Sequence, residues 1–240
     1  MTPNILILGG TREARQLANH AAAHGWHAML SLAGVTPTPI AVDLAVRYGG
    51  FGGADGLAAY LAKHHVTHLV DATHPYAARM TAHAVKAAEL TGVERLTLWR
   101  PAWQAGVEDH WITFRTLADL YAAVPDDAHL FLAAGQEGIA ALPSGHRFRV
   151  TARALKAPDT QGQINFIAAL PQADMADEKH LIQQLGITHL AVKNAGGSAS
   201  FAKLLAAREL ELPVFMLARP APPPPPYYET LADVIAALSK

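Results

Sequence analysis

The sequence predicts an α/β protein built from two Rossmann-like domains, each a parallel sheet flanked by helices, with a cleft between them. Short runs of branched apolar residues alternate with helical patterns along the 240 residues, as they do in βαβ units. The alternation stops at a polar, glycine-containing stretch after Pro101 and restarts near residue 111. This interruption indicates a domain boundary close to residue 101.

The first domain, residues 1–101, opens with a strand at residues 5–8, because four consecutive apolar side chains suit a strand covered on both faces. A turn at Gly9 and Gly10 then leads into a helix with Thr11 as its predicted N-cap. The remaining predicted elements are strands at residues 28–32, just before residue 49, at 67–71 and at 95–99, and helices at 55–64 and 77–90.

The second domain, residues 102–240, repeats this rhythm. The five consecutive prolines at residues 222–226 favour an extended polyproline helix that acts as a stiff spacer before a last helix. An SH3 ligand is the alternative interpretation of this run. Predicted strands lie at residues 111–114, 129–133, 148–151, 164–168, 189–193 and 214–217, and predicted helices at 117–123, 136–142, 174–185, 198–209 and 230–238.

The composition argues against several classes of partner. The 19 Lys and Arg residues are balanced by 20 Asp and Glu, so no basic field indicates a nucleic-acid partner. The apolar runs are of strand length and no secretory segment opens the chain, so no membrane partner is expected. Cysteine is absent, and the twelve histidines other than His74 lack a matching carboxylate or metal-ligand spacing, so we expect no metal centre. A cytoplasmic protein is predicted.

The turn after the first strand is a variant of the dinucleotide-binding fingerprint. Gly9, Thr11 and Ala14 follow the pattern G-x-G-x-x-G/A with Thr in place of the second glycine. Unpaired amides at the start of the following helix attract phosphate. The alternative is an ordinary turn between a strand and a helix, but the position on the first strand favours a nucleotide.

The acidic residue that would bind the ribose of NAD about 20 residues further on is missing. The second apolar run ends instead in Ser31 and a small turn at Gly34, where no carboxylate would repel a 2′-phosphate. This favours NADP, with Arg12 or Arg47 as the positive partner of the phosphate.

Two further loops of the first domain are candidates for the cofactor site. Residues 49–53 contain four glycines in five positions before a helix, which predicts backbone contact with the cofactor, a flexible turn being the alternative. His74 and Tyr76 follow a strand at the carboxyl edge, where open α/β sheets bind ligands. There His74 would donate a proton or orient the nicotinamide, and Tyr76 would stack on it.

Two loops of the second domain repeat this logic. Residues 193–198 close a strand with Lys193 and open a helix after two glycines, which suits a carboxylate or phosphate. Gly135 and Gln136 lie at the corresponding end of another predicted strand. Both loops are therefore expected to face the cleft between the domains. Plain turns are the alternative. A cluster of basic residues within ten positions is expected to be either a solvated face or an anion-binding patch, and consists of Arg147, Arg149, Arg153 and Lys156.

Five motifs together resemble precorrin-6A reductase of cobalamin biosynthesis. They are Gly-Gly-Thr-x-Glu-Ala-Arg at residues 9–15, Ser-Leu-Ala-Gly at 31–34, Gly-Gly-Phe-Gly-Gly at 49–53, Asp-Ala-Thr-His-Pro-Tyr-Ala at 71–77 and Lys-Asn-x-Gly-Gly at 193–197. The resemblance spans residues 4–220 and implies a two-domain α/β reductase that uses NADPH to reduce one double bond of precorrin-6A to precorrin-6B. Cobalt-carrying relatives reduce cobalt-precorrin-6A.

The resemblance also implies site residues. The tetrapyrrole substrate would be a small-molecule partner besides NADPH, and neighbouring enzymes of the pathway are candidate partners. This chain departs from the family pattern at Val35 and Gln136, where Arg is common. The implied cofactor site is Gly9, Gly10, Thr11, Arg12, Ser31, Gly34, Gly52, Gly53, Thr73, His74 and Tyr76, and the implied substrate site is Gly135, Gln136, Lys193, Asn194 and Ser198, with His74 and Lys193 as catalytic residues.

The expected reaction is hydride transfer from the nicotinamide to the ring, followed by protonation of a neighbouring position. His74 or water would supply the proton. The alternatives are an NADPH-dependent reductase of another small molecule and a non-catalytic dinucleotide-sensing module. A short-chain dehydrogenase would need a Tyr-x-x-x-Lys pair, which the sequence lacks.

Overall fold

The computed structural model describes residues 3–33, 42–154, 164–169, 171–172 and 174–239. Gly34, Val35 and Lys156, which the sequence singled out, lie outside these ranges. The chain divides into two compact units, one formed by Met1–Pro101 with Pro220–Lys240 and the other by Ala102–Arg219. Each unit contains a six-stranded sheet whose neighbouring strands pair in parallel. The predicted two-domain α/β class is confirmed.

The first unit is built around its first strand. Along that strand Ile5 and Ile7 pack on one side of the sheet, whereas Leu6 and Leu8 pack on the other, so the strand is covered on both faces. In order, the elements before the boundary are β1 Asn4–Leu8, α1 Arg12–Ala23, β2 His27–Leu32, β3 Ala45–Tyr48, α2 Ala54–Lys63, β4 His68–Asp71, α3 Ala78–Thr91 and β5 Glu94–Leu98.

The strand order creates a topological switch point in this sheet. The neighbours run β5, β4, β1, β2, β3, so the chain moves outward from β1 through β2 to β3 and then returns to the opposite side of β1 as β4. The carboxyl ends of β1 and β4 therefore flank a topological switch point, where open α/β sheets bind their ligands. The predicted nucleotide turn and the loop after β4 both lie at this edge.

The second unit has the same kind of switch point. Its order is β6, β11, β10, β7, β8, β9, so the direction of winding reverses between β7 and β10. Phe131, Leu190 and Val192 lie in the apolar cluster that packs against this sheet. The elements are β6 Trp111–Phe114, α4 Leu117–Ala122, β7 His129–Ala133, α5 Gly135–Ala140, β8 Arg149–Ala154, β9 Ile164–Ala168, α6 Met175–Gln184, β10 His189–Lys193, α7 Ala202–Glu209 and β11 Val214–Leu217.

The last segment of the chain returns to the first unit. Strand β12, Tyr227–Tyr228, pairs with β5, and α8, Leu231–Leu238, buries Val234 in the same apolar cluster as Ile5. The prediction that residues 102–240 form one domain was therefore wrong for its final part. A two-residue strand carries too little pattern to be recognised in a sequence.

The proline run is fastened to the first unit and does not act as a free spacer. Arg95 of β5, which is 9% exposed, donates hydrogen bonds to the carbonyls of Pro224, Pro225 and Pro226 at 2.8, 3.2 and 3.5 Å. The run thus fastens the final segment to the edge of the first sheet. No helix in the described ranges is long and apolar enough to cross a membrane.

Candidate active site

The turn after β1 requires both of its glycines. A Cβ on Gly9 would lie 2.7 Å from Leu30 Cδ1 and 3.0 Å from Leu32 Cδ2, so a side chain there would press on β2. Gly10 has φ +118°, which side chains rarely adopt, and the position its Cβ would take has nothing within 4 Å. The backbone is therefore bare and open at the carboxyl end of β1, as close approach of a diphosphate requires.

Thr11 explains why the fingerprint departs from glycine at this position. Its Oγ1 caps α1 by accepting a hydrogen bond from Ala14 N at 3.1 Å and donates one to Ala72 O at 2.7 Å. The hydroxyl thus ties the nucleotide turn to the first residue beyond β4. Arg12 is exposed at the start of α1, and Glu13 forms an ion pair with the buried Arg100.

A fixed cation lies beside the end of β2. Arg47 of β3 donates from Nη1 to Ser31 Oγ at 2.7 Å and to Gly49 O at 3.1 Å, and from Nη2 to Gly50 O at 3.1 Å. Its guanidinium lies 3.8 Å from the centre of the Phe51 ring, a stacked cation–π contact. Of the two arginines that the sequence offered for a 2′-phosphate, only Arg47 is anchored next to Ser31 in this way.

The glycine-rich turn between β3 and α2 has the conformation expected of such a loop. Gly49, Gly52 and Gly53 have φ of +100°, +80° and +99°, and nothing lies within 4 Å of where their side chains would begin. Gly53 stands at the N-cap of α2 without a side-chain cap. The amides at this helix end are thus not satisfied by a capping side chain, which leaves them suited to a ligand.

The loop after β4 is organised by Asp71, a residue the sequence motif contained but to which no role was assigned. Asp71 is 1% exposed, and its Oδ1 accepts hydrogen bonds from Thr73 N at 3.1 Å and Thr73 Oγ1 at 2.7 Å. His74 Nδ1 accepts from Tyr76 N at 3.3 Å, and the two rings are 5.6 Å apart. The partly exposed Thr73, His74 and Tyr76 therefore share one rigid loop at the switch point.

In the second unit the two predicted loops meet. Lys193, at the end of β10, donates from Nζ to Glu137 Oε2 of α5 at 2.7 Å. Gly135, which has φ +72°, and Gln136 are exposed at the start of α5, directly after the adjacent strand β7. Glu137 was not predicted from the sequence, and the alternation of elements gave no signal that it would reach Lys193.

Asn194 and Ser198 differ in their surroundings. The amide of Asn194 accepts from Trp103 N at 2.8 Å and donates to Trp103 O at 3.0 Å, so it holds the main chain of the segment after the domain boundary. The indole Nε1 of Trp103 donates to Gly197 O at 2.7 Å. Ser198 is exposed in the turn that precedes α7. The predicted helix start at residue 198 was wrong, since α7 begins at Ala202.

The three arginines of the basic cluster that the structure describes do not form one anion-binding patch. Arg153 is 6% exposed and donates two hydrogen bonds to the buried Glu178 at 2.6 and 3.0 Å. Arg147 pairs with Asp126 at 3.0 Å, and Arg149 begins β8 at the amino edge of the sheet, the edge opposite the loops that the sequence predicted to bind the substrate. Closeness in sequence did not predict a shared surface here. The three arginines lie before, at the start of and within one strand, where side chains alternate between the two faces of the sheet.

Comparison with known proteins agrees with the motifs. Precorrin-6A reductase of Rhodobacter capsulatus is 39% identical over 239 residues, covering 98% of this chain and 95% of the relative. Precorrin-6A reductase of Rhodococcus erythropolis is 41% identical, with coverages of 98% and 96%. The solved structure of CobK precorrin-6A reductase superimposes with a TM-score of 0.92 at 38% identity, covering 100% of this chain and 96% of that one. The family model described as Precorrin-6x reductase CbiJ/CobK matches residues 4–239, and the chain belongs to that family.

Proposed function

We propose that this protein is a precorrin-6A reductase of cobalamin biosynthesis that uses NADPH to reduce one double bond of the macrocycle and yields precorrin-6B. The observation that carries the proposal is the bare, amide-lined turn at Gly9 and Gly10, at the switch point beside the anchored Arg47. Family membership supplies the class of reaction, and this turn supplies a place for the cofactor.

The residues of the first unit fit NADPH. The diphosphate would be held by the amides that follow Gly9 and Gly10 at the start of α1. Arg47 and Ser31 would hold the 2′-phosphate, because a guanidinium beside a hydroxyl offers several hydrogen bonds to phosphate oxygens. Gly52 and Gly53 would contact the cofactor through their main chain, where nothing else occupies the space in front of them. An NADH-dependent enzyme would not need the anchored cation.

The loop after β4 would hold the reactive end of the cofactor. A reduced nicotinamide, when bound, supplies the hydride. Thr73, fixed by the buried Asp71, and Tyr76 would orient the ring and exclude water from one face. His74 is placed to hold a proton at Nε2, because its Nδ1 accepts from Tyr76 N. His74 is therefore our candidate for the acid that protonates the reduced ring, with water as the alternative.

The residues of the second unit would hold the substrate. Precorrin-6A carries many carboxylates, and Lys193 is bound to a carboxylate already, that of Glu137. Because the side chain of Glu137 is 69% exposed, a substrate carboxylate would replace it at little cost. Gly135 and Gln136, next to Glu137 in the chain, and the exposed Ser198 would complete the site. Asn194 would act by fixing Trp103 rather than by contacting substrate.

The test is anaerobic incubation of the purified protein with precorrin-6A and NADPH. We expect the absorption spectrum of the tetrapyrrole to change while NADPH is oxidised in equal amount. Binding of NADPH without a spectral change would contradict the proposal and favour a dinucleotide-sensing module. Oxidation of NADPH by other carbonyl compounds alone would favour a different reductase, and parallel assays with cobalt-precorrin-6A identify which form of the macrocycle is the substrate.

A further inference from the structure

The second unit contains a buried cluster of three charged residues that the proposed chemistry does not use. Arg153 of β8, Glu178 of α6 and Lys203 of α7 are 6%, 0% and 4% exposed. Arg153 donates two hydrogen bonds to Glu178 at 2.6 and 3.0 Å, and Gln172 N donates a third at 2.8 Å. Glu178 is therefore well satisfied without Lys203, and the cluster holds one more cation than anions.

Lys203 connects this cluster to a loop of the candidate site. Its Nζ donates to Ser200 O at 2.6 Å. Ser200 belongs to the turn of residues 198–201, which is closed by a bond from Phe201 N to Ser198 O at 3.3 Å. That turn directly follows the loop of Lys193 and carries Ser198. The ammonium group thus holds the main chain of the turn at Ser200, while Ser198 of the same turn is exposed.

Among the residues that the structure describes, the buried ammonium of Lys203 makes one hydrogen bond; such a charge is costly to bury, and an apolar side chain of the same length would cost less. The pKa of Lys203 is lowered to about 8, chiefly by burial; the carboxylate of Glu178 opposes this shift, and the positive charge of Arg153 adds to it. These two residues, one from each of the elements β8 and α6, are the charged groups that act on it. A cation kept at such a cost suggests a use for its charge.

We propose that Lys203 is a positioning residue for the anionic substrate, because its ammonium holds the turn of residues 198–201 and adds a positive charge there, directly after the loop that receives carboxylates. The proposal rests on the proposed function for its substrate, though not for its effect on the turn. The charge is present below the pKa of Lys203 and is lost as the pH rises above it. Substrate binding therefore weakens at alkaline pH.

The effect on the turn is tested without substrate, by NMR of the intact protein between pH 6.5 and 9.5. We expect the amide shifts of residues 197–200 to titrate with a midpoint near 8, and to stop titrating in Lys203→Met. The matched control is Lys179→Met, which removes another lysine between α6 and α7, one that pairs with Glu209 at 2.7 Å. Amide shifts that do not titrate in the unmodified protein would overturn the proposal, whether or not the variant folds.

The effect on substrate is tested by steady-state kinetics. We expect Lys203→Met to raise KM for precorrin-6A about tenfold at pH 7 and to remove its rise above pH 8, with kcat and KM for NADPH within about twofold. Lys203→Arg, which keeps the charge, should restore KM and keep it constant with pH. A Lys203→Met enzyme with normal KM at pH 7 would overturn this inference alone, whereas absent turnover in the unmodified protein would refute the proposed function instead.

Discussion

Arg47 is the side chain on which the choice between NADPH and NADH is expected to depend. Its guanidinium is held by Ser31 Oγ and two carbonyls, so it need not be ordered when phosphate binds. We predict that Arg47→Gln weakens NADPH binding by about 30- to 100-fold, equivalent to ~2–3 kcal/mol for charge-assisted hydrogen bonds, and leaves NADH binding within about threefold. Isothermal titration with both nucleotides measures this difference.

Arg12→Gln is the control for this prediction, because Arg12 is exposed at the start of α1 and was the other candidate in the sequence. Its effect on NADPH binding should stay below about fivefold, as for an exposed charge near the diphosphate. A larger loss from Arg12→Gln than from Arg47→Gln would contradict the prediction and indicate that Arg12 binds the 2′-phosphate.

Lys193 is expected to act on the substrate and not on the cofactor. Lys193→Ala should lower kcat/KM for precorrin-6A by about 100-fold, the usual cost of leaving a bound carboxylate without its cation, with NADPH affinity unchanged. Glu137→Gln is the matched control, since it removes the carboxylate that competes for Lys193 and should leave KM equal or lower. Equal losses of turnover and of NADPH affinity in Lys193→Ala would contradict this prediction, because Lys193 would then act on the cofactor.

The sequence was informative about single residues only where the chemistry is local. The glycines at residues 9 and 10 were recognised because the turn they form lies within the motif itself. The sequence did not reveal which of Arg12 and Arg47 is anchored beside Ser31, because this depends on the pairing of β2 with β3. The bond between Asn194 and Trp103 joins residues 91 positions apart, and no spacing rule reports such a contact.

At the scale of elements, Thr11 has two tasks, as N-cap of α1 and as a link to the residue after β4. We predict that Thr11→Ala lowers the free energy of unfolding by about 1–2 kcal/mol, through the lost cap and the unsatisfied carbonyl of Ala72. It should also weaken NADPH binding, because both walls of the switch point lose their common bond. Urea unfolding and nucleotide titration measure the two effects.

Two variants bracket this result. Thr11→Ser keeps the hydroxyl and should restore most of both losses. Thr116→Ala removes a similar cap in the second unit, where Thr116 Oγ1 accepts from Asp119 N at 3.1 Å, and should lower stability without changing NADPH affinity. Nucleotide binding that falls equally in both alanine variants would mean that the loss is a general consequence of instability.

Most strands and helices were predictable because apolar periodicity reports burial directly, and β1, β7 and β10 are buried along nearly their whole length. The start of α7 was not. Two glycines and two serines before residue 201 read as the approach to a helix, but the turn of residues 198–201 is set by Lys203 reaching back to Ser200. This bond is made by a side chain over three residues, so the helix propensity of the backbone does not report it.

At the scale of the whole molecule, the chain leaves the first unit at Pro101 and returns to it at Pro220, so this unit is completed by both ends of the chain. The domain boundary near 101 was visible as a composition change. The return was not visible, because the proline run resembles a linker, and only the bonds from Arg95 to its carbonyls reveal that it is fastened to β5. The composition of the proline run describes that segment alone, whereas its attachment depends on Arg95, a residue far away in the sequence.

This arrangement predicts that the final helix, α8, stabilises the turn at Gly9 and Gly10 that follows β1. Leu238 of α8 is 5% exposed and shares an apolar cluster with Ile5 and Ile7. Both isoleucines belong to β1, the strand that ends at this turn. Leu238→Ala should destabilise the first unit by about 3 kcal/mol, as expected for a buried leucine, whereas Leu90→Ala on α3, where the leucine is 53% exposed, should cost less than about 0.5 kcal/mol.

Hydrogen exchange followed by mass spectrometry distinguishes where the stability is lost. In Leu238→Ala, faster exchange should appear in β1 and α1 although they lie more than two hundred residues away in sequence, and saturating NADPH should restore much of the protection because it binds the folded first unit. Peptides of β7 and β10 should be unchanged, since the second unit keeps its own core. Faster exchange confined to α8 would show that the final segment only rests on the first unit, and that the cofactor turn is stable without it.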